Sequence, residues 1–129
     1  MCIRDSRSLV ESKICSEKKV ALTVLATVVS TPTKNRAIID AGSKVLTSDL
    51  FGMNDHGSIV NFPELRITQL TEEHGTIVST QNTNLAIGQK IQIIPNHACV
   101  VTNMLDEVNL ITEEKKLKKV KVIARGKVW

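Results

Sequence analysis

Two residues in the second half of the chain, His97 and Cys99, have the types and spacing to do chemistry together. They lie in "KIQIIPNHACVV", residues 90 to 101, directly after Pro95 and Asn96. In an extended segment residues two apart point to the same face, so the imidazole and the thiolate would converge on one point. A zinc ion accepts such a pair, with nitrogen at roughly 2.0 Å and sulfur at roughly 2.3 Å. A structural zinc site closes with four ligands, so two ligands leave positions open to a substrate. The competing reading is structural: Cys99 as a small buried hydrophobe and His97 as a satisfied polar residue at a strand end.

Three further positions carry groups that could act. His74 in "TEEHG" follows Glu72 and Glu73. A neighbouring carboxylate can fix an imidazole tautomer as in acid–base pairs, although a histidine beside glutamates is also what a solvated turn contains. His56 lies in the loop "FGMNDHG", and Asp40 ends the apolar run "IIDAGSK", where a carboxylate can bind turn amides. No Gly-rich phosphate loop follows a strand, and no Gly-x-Ser-x-Gly elbow is present.

The elements that must hold these residues read as strands. "VALTVLATVVS", Val20 to Ser30, is a β-branched run ending at a Pro32 turn. "RAIID", "SIVNF", "ELRITQL", "TIVST", "KIQII", "EVNLIT" and "KKVKVIAR" follow between turn signals. In "ELRITQL", Leu65, Ile67 and Leu70 face inward and Arg66 and Thr68 outward, close to the period of two. About eight short strands without a long amphipathic helix predict an all-β barrel or sandwich. A chain of 129 residues is one domain with a modest core. "MCIRDS" joins no pattern, so residues 1–19 read as a leader remnant and linker ahead of a β domain over 20–129.

Composition narrows the partners. Phe51, Phe62 and Trp129 are the only aromatics, which disfavours base stacking. The formal charge of +4 is concentrated in Lys115, Lys116, Lys118, Lys119 and Lys121, a pattern that suits a solvated edge strand better than a nucleic-acid surface. Cys2, Cys15 and Cys99 are odd in number and irregular in spacing, giving no disulfide framework. With no apolar run long enough to span a membrane and no signal-peptide core, a reducing cytoplasmic setting is expected.

Four segments in order, "LATVVSTPTKNRAIIDAGSKVLTSD", "LTEEHG", "IGQKIQIIPNHACVVTNMLDEV" and "VIARGKVW", resemble the C-terminal domain of the D-threonine aldolase and D-serine dehydratase-like enzymes. The resemblance implies a fold-type III pyridoxal-phosphate enzyme related to alanine racemase, in which an N-terminal barrel holds the cofactor on a lysine. That barrel is not in this chain, so the likeness implies a C-terminal fragment, inactive alone, with no cofactor-binding residue of its own. By the same likeness His97 and Cys99 match the metal pair. The cysteine is closer to the zinc-binding dehydratase pattern, whereas an aspartate there would look like the manganese-type aldolases. Glu73 and His74 would lie in the second shell or on the substrate side. The substrate would be a D-3-hydroxy amino acid and the full enzyme a homodimer. The alternative from another class is a free-standing β-barrel binding module with a structural His/Cys pair.

Overall fold

The computed structural model describes residues 6–112 and 114–127; Cys2 and Trp129, singled out above, lie outside them. It is mostly strands. Six of them form one sheet in the order β3-β6-β1-β2-β5-β4, with β1 Val24–Thr33, β2 Arg36–Ile39, β3 Ser58–Ile59, β4 Arg66–Leu70, β5 Gly75–Val78 and β6 Lys90–Ile94. All pairings are antiparallel. The sheet curls until its edges nearly meet: the His56 N–H, just ahead of β3, donates to the Ile67 carbonyl of β4 at 3.0 Å. The result is the expected all-β barrel, nearly closed.

Period-two patterning builds its core. Val24, Ala26 and Val28 of β1 point inward with Ala37 and Ile39 of β2, Ile67 of β4, Ile77 of β5 and Ile91 and Ile93 of β6. Each buried isoleucine or valine contributes about 1.5–3 kcal/mol by leaving water. The irregularities in the pattern are bulges, in the β1–β2 and β4–β5 pairings. Ile67 pairs Ile77 but Gln69 pairs Thr76, so one extra residue is absorbed in β4, which is why Leu70 rather than Gln69 turns back towards the core. β1 is also displaced from the expected Val20–Ser30: it starts later and runs through Pro32 to Thr33. Between the Ser30–Ile38 and Thr33–Arg36 pairs β1 carries one residue more than β2, and a proline is tolerated at such a bulge because no ladder hydrogen bond needs its nitrogen. The turn is Lys34-Asn35 instead, a two-residue hairpin loop.

Among the described residues three short α-helices, α1 Arg7–Glu11, α2 Ser43–Leu46 and α3 Ala98–Asn103, and one 3-10 turn, Glu17–Lys19, decorate the barrel. β7 Glu107–Ile111 and β8 Leu117–Lys121 form a separate hairpin. Both its strands are largely exposed, and the lysine cluster falls on β8 and the turn before it, as an edge strand predicts. Ser6 and Arg7, in the stretch read as leader, pack on the barrel. The Arg7 N–H donates to the Pro95 carbonyl at 2.9 Å, and its guanidinium pairs with buried Asp55, which Arg66 also reaches at 3.2 Å.

Gly57 is the tightest corner leading into β3. Its φ is +144°, and a Cβ there would lie 2.8 Å from Ile93 Cγ2 and 3.0 Å from the Ile94 carbonyl. Gly57→Ala is therefore expected to lower stability by about 1–3 kcal/mol, read as a shift of the urea unfolding midpoint with an unchanged slope.

Candidate functional site

The site is a corner where β6 stops and α3 starts. Pro95 has no N–H to extend the ladder, and both Pro95 and Asn96 are buried. His97 is the N-cap of α3 with extended backbone, φ −140° and ψ 106°, and Cys99 lies in the first helical turn. The expectation of an extended run through Cys99 is thus corrected: the chain turns helical at Ala98. Strand periodicity does not align the two side chains, because Cys99 follows helical spacing.

What gathers the corner is a loop from elsewhere. Asn96 Nδ2 donates to the carbonyls of Leu50 at 3.2 Å and Asp55 at 2.6 Å, tying the loop after α2 to the end of β6. That loop opens with Thr47 at φ +62°. Its Asp49 accepts the Phe51 N–H on Oδ1 at 3.0 Å, an Asx turn, and places Oδ2 3.3 Å from His97 Nδ1. The Phe51 ring lies 4.5 Å from the His97 ring, tilted by 43°. Asp49 and Cys99 in turn line one open cavity of about 520 Å³ with Thr47, Ser48, Asn103 and Met104. Asp49 therefore reaches the His97 ring and shares a cavity wall with Cys99. From behind, Ser6 Oγ accepts the Ala98 N–H at 3.3 Å.

The remaining candidates are placed apart from this contact set. Glu73 and His74 are exposed on the β4–β5 turn, where the Thr71 N–H donates to the His74 carbonyl at 2.8 Å. The Glu73 carboxylate pairs with Lys44 of α2, and that hydrogen bond holds it below the usual glutamate range. This turn braces α2: the Ser43 N–H donates to the Thr71 carbonyl at 2.8 Å and the Lys44 N–H to that of Glu72 at 3.1 Å. Asp40 caps a barrel irregularity. Burial works against its ionisation, but the Thr27 N–H at 2.6 Å and nearby Lys90 hold its carboxyl below the ordinary value. His56 turns its Nδ1 inward, with no hydrogen-bond partner among the described residues, and burial pushes its pKa down against the opposing charge of Asp55.

Among the described residues no group of three or more His, Cys, Asp and Glu side chains is arranged to hold a metal ion. An imidazole nitrogen and a thiol sulfur are nevertheless the borderline-soft donors that suit zinc over manganese, and Cys99 is exposed at the cavity wall. Two such donors fall short of a closed four-ligand structural site.

Comparison with known proteins sharpens the reading. Residues 21–111 match the family described as "Putative serine dehydratase domain". The chain belongs to this family. An uncharacterized protein of Mycobacterium tuberculosis is 36% identical over 119 residues, covering 88% of this chain and 90% of that protein. The D-serine dehydratase of Dictyostelium discoideum is 33% identical over 117 residues, covering 80% of this chain but 30% of that enzyme. Among solved structures, the D-threonine aldolase of Filomicrobium marinum superposes with a TM-score of 0.73 at 28% identity, over 85% of this chain and 29% of that one. A D-threo-3-hydroxyaspartate dehydratase superposes at 0.80 over 96% of this chain and 36% of its own, and at 24% identity it shows the fold. This member of the serine dehydratase domain family thus spans nearly all of the mycobacterial relative and about a third of the enzymes. Among the described residues no helix is long and apolar enough to cross a membrane.

Sequence reasoning missed Asp49, Phe51 and the anchoring role of Asn96, whose only signal was the Asp-Leu-Phe-Gly turn chemistry of the loop.

The depressed His56 pKa makes a pH prediction. The group's folded value lies below its unfolded value near 6.5, so its contribution to stability is complete above pH 6.5 and is lost as pH falls through the folded value. Urea midpoints measured from pH 7.5 downwards are expected to decline below 6.5 in the wild type. His56→Gln is expected to flatten that part of the profile.

Proposed function

We propose that residues 20–129 form the metal-bearing β domain of a pyridoxal-phosphate- and metal-dependent lyase acting on D-3-hydroxy amino acids, by dehydration of D-serine or aldol cleavage of D-threonine. The observation that carries it is the β6–α3 corner, where Cys99 and Asp49 line an open cavity, Asp49 reaches the His97 ring, and a buried asparagine holds the loop that carries Asp49. Support comes from the D-threo-3-hydroxyaspartate dehydratase neighbour, solved as a histidine-to-alanine mutant and as a cysteine-to-alanine mutant, the latter in a metal-free form. The two mutated positions are two apart in that enzyme, the spacing of His97 and Cys99 here.

In this reading His97 and Cys99 hold a divalent ion, zinc favoured over manganese by the thiolate. The ion supplies Lewis acidity towards a substrate β-hydroxyl, and pyridoxal phosphate supplies an electron sink for the bond broken at the α-carbon. The cofactor is carried by a barrel outside this sequence, and no lysine of this chain is assigned to it. The chain's own part is to place the donors, to line the cavity with Thr47, Ser48, Asn103 and Met104, and to set the Phe51 ring against that of His97. Glu73 and His74 act at longer range, on the substrate side, from the turn that braces α2. The family likeness supports a cytoplasmic homodimer as the working enzyme, with no nucleic-acid or membrane partner.

A second reading, a free-standing β-barrel binding module with a structural His/Cys pair, is favoured by one observation: the mycobacterial relative is covered over 90% of its length. Elemental analysis of the purified chain separates the two. Near-stoichiometric zinc, lost in both His97→Ala and Cys99→Ala, is expected for the lyase domain, with no cofactor absorbance and no turnover of D-serine by the chain alone. Metal retained in both variants would count for the module, and pyridoxal-dependent turnover by this chain would refute the need for a separate barrel.

A further inference from the structure

We infer that Asp49 is a positioning residue that fixes the tautomer of His97 and thereby selects Nε2 as the nitrogen presented to a ligand. The inference deepens the metal reading above and rests on it for the identity of that ligand.

The argument is one of hydrogen-bond inventory. An ionised carboxylate only accepts, so at 3.3 Å from Asp49 Oδ2 the His97 Nδ1 must carry the proton. A neutral imidazole has one N–H, which leaves the lone pair on Nε2. The other carboxylate oxygen is already committed, since Oδ1 accepts the Phe51 N–H at 3.0 Å, and the carboxylate is thereby held by its own loop. The ring is held as well. A half-turn about its Cβ–Cγ bond would replace Nδ1 by a carbon and forfeit the contact, and the Phe51 ring at 4.5 Å lies against one side. Loop and ring are fixed to a common frame, because the residue before His97 is Asn96, whose side chain grips the backbone on both sides of Phe51, at Leu50 and Asp55.

Partial exposure decides what kind of effect this is. The His97 and Asp49 side chains are 26% and 43% exposed, so as an ion pair they contribute little to stability. Their value is directional. A carboxylate that orients a ligating histidine through its far nitrogen commonly changes metal affinity 10- to 100-fold.

The isosteric variant Asp49→Asn gives a readout that a merely structural role would not move. With the Phe51 N–H holding the amide oxygen in the place of Oδ1, the new NH₂ faces Nδ1 and donates to it, forcing the proton onto Nε2. Long-range ¹H–¹⁵N correlation spectra of the metal-free chain at pH 8 are expected to show Nδ1–H for His97 in the wild type and Nε2–H in Asp49→Asn, with His56 and His74 unchanged as internal references. Preserved backbone amide dispersion establishes that the variant is folded, and Asp49→Ala, expected to relax to the water-favoured mixture, provides the second variant. Wild-type Nε2–H, or an Asp49→Asn spectrum identical to wild type, overturns the inference. Titration with Co²⁺ tests the ligand separately: binding weakened about 10- to 100-fold in Asp49→Asn is expected. A swapped tautomer in a chain that takes up no cobalt would overturn the metal reading and leave the positioning role standing. Cobalt binding with an unswapped tautomer would do the reverse.

Discussion

One buried amide holds the functional end of this domain together. Asn96 is almost wholly removed from solvent, and its two amide hydrogens reach the carbonyls of Leu50 and Asp55. Without them the carbonyl of buried Asp55 would be left unsatisfied, at a cost of about 1–3 kcal/mol. The loop after α2 would then lose these two ties to the end of β6 and rest on the partly exposed contacts of Asp49 and Phe51 with His97. The same constraint explains the residues on either side. Pro95 ends the ladder so that the amide can turn inward, and His97 follows at the point where the backbone is still extended and its ring can meet Asp49. Asp55, whose carbonyl serves Asn96, has its carboxylate buried between Arg7 and Arg66. The anchor is thus secured from both its backbone and its side chain.

Around that anchor the barrel supplies stiffness and little else. Barrels of this kind carry many activities, and the chemistry resides in what is mounted at their ends. Here the mount combines a rigid strand terminus, a six-residue helix and a loop held at both ends, so His97 and Cys99 are placed by backbone geometry rather than by long flexible side chains. In the proposed metal reading, a sparse protein ligand set would leave coordination positions for substrate, which a closed four-ligand site would not. Glu73 and Lys44 neutralise one another on the outer surface and stabilise the α2 end of the loop, a supporting role one step removed from the corner.

The strands were readable because their apolar residues alternate: Val24, Ala26 and Val28, or Ile91 and Ile93, declare the barrel face without any tertiary information. Pro32 misled because a proline inside a β-branched run normally ends a strand, and only the pairing register reveals the bulge that tolerates it. Helix α3 was hidden for a related reason. "ACVVTN" carries two valines in six residues and is too short for helical periodicity to show. His97 and Cys99 stood out through their types, and the family likeness through ordered segments. Asp49 did not, because it lies 48 residues from its partner and nothing local marks an aspartate as the acceptor of a distant ring. Contacts of that kind are created by topology, which a single sequence does not print.

That topology has a consequence for when the site comes into being. β1 pairs with β2 through a two-residue turn, but its other neighbour, β6, arrives more than sixty positions later, with Val24 opposite Ile93. The hairpins β1–β2 and β4–β5 can form from local segments, whereas β1–β6 must close a long loop, the slow and entropically costly kind of step. The residues of the corner follow β6 immediately, so Asn96 meets Leu50 only after that closure. During synthesis the contacts of Asp49 and Phe51 with His97 therefore stay unmade until the final strand of the barrel has docked.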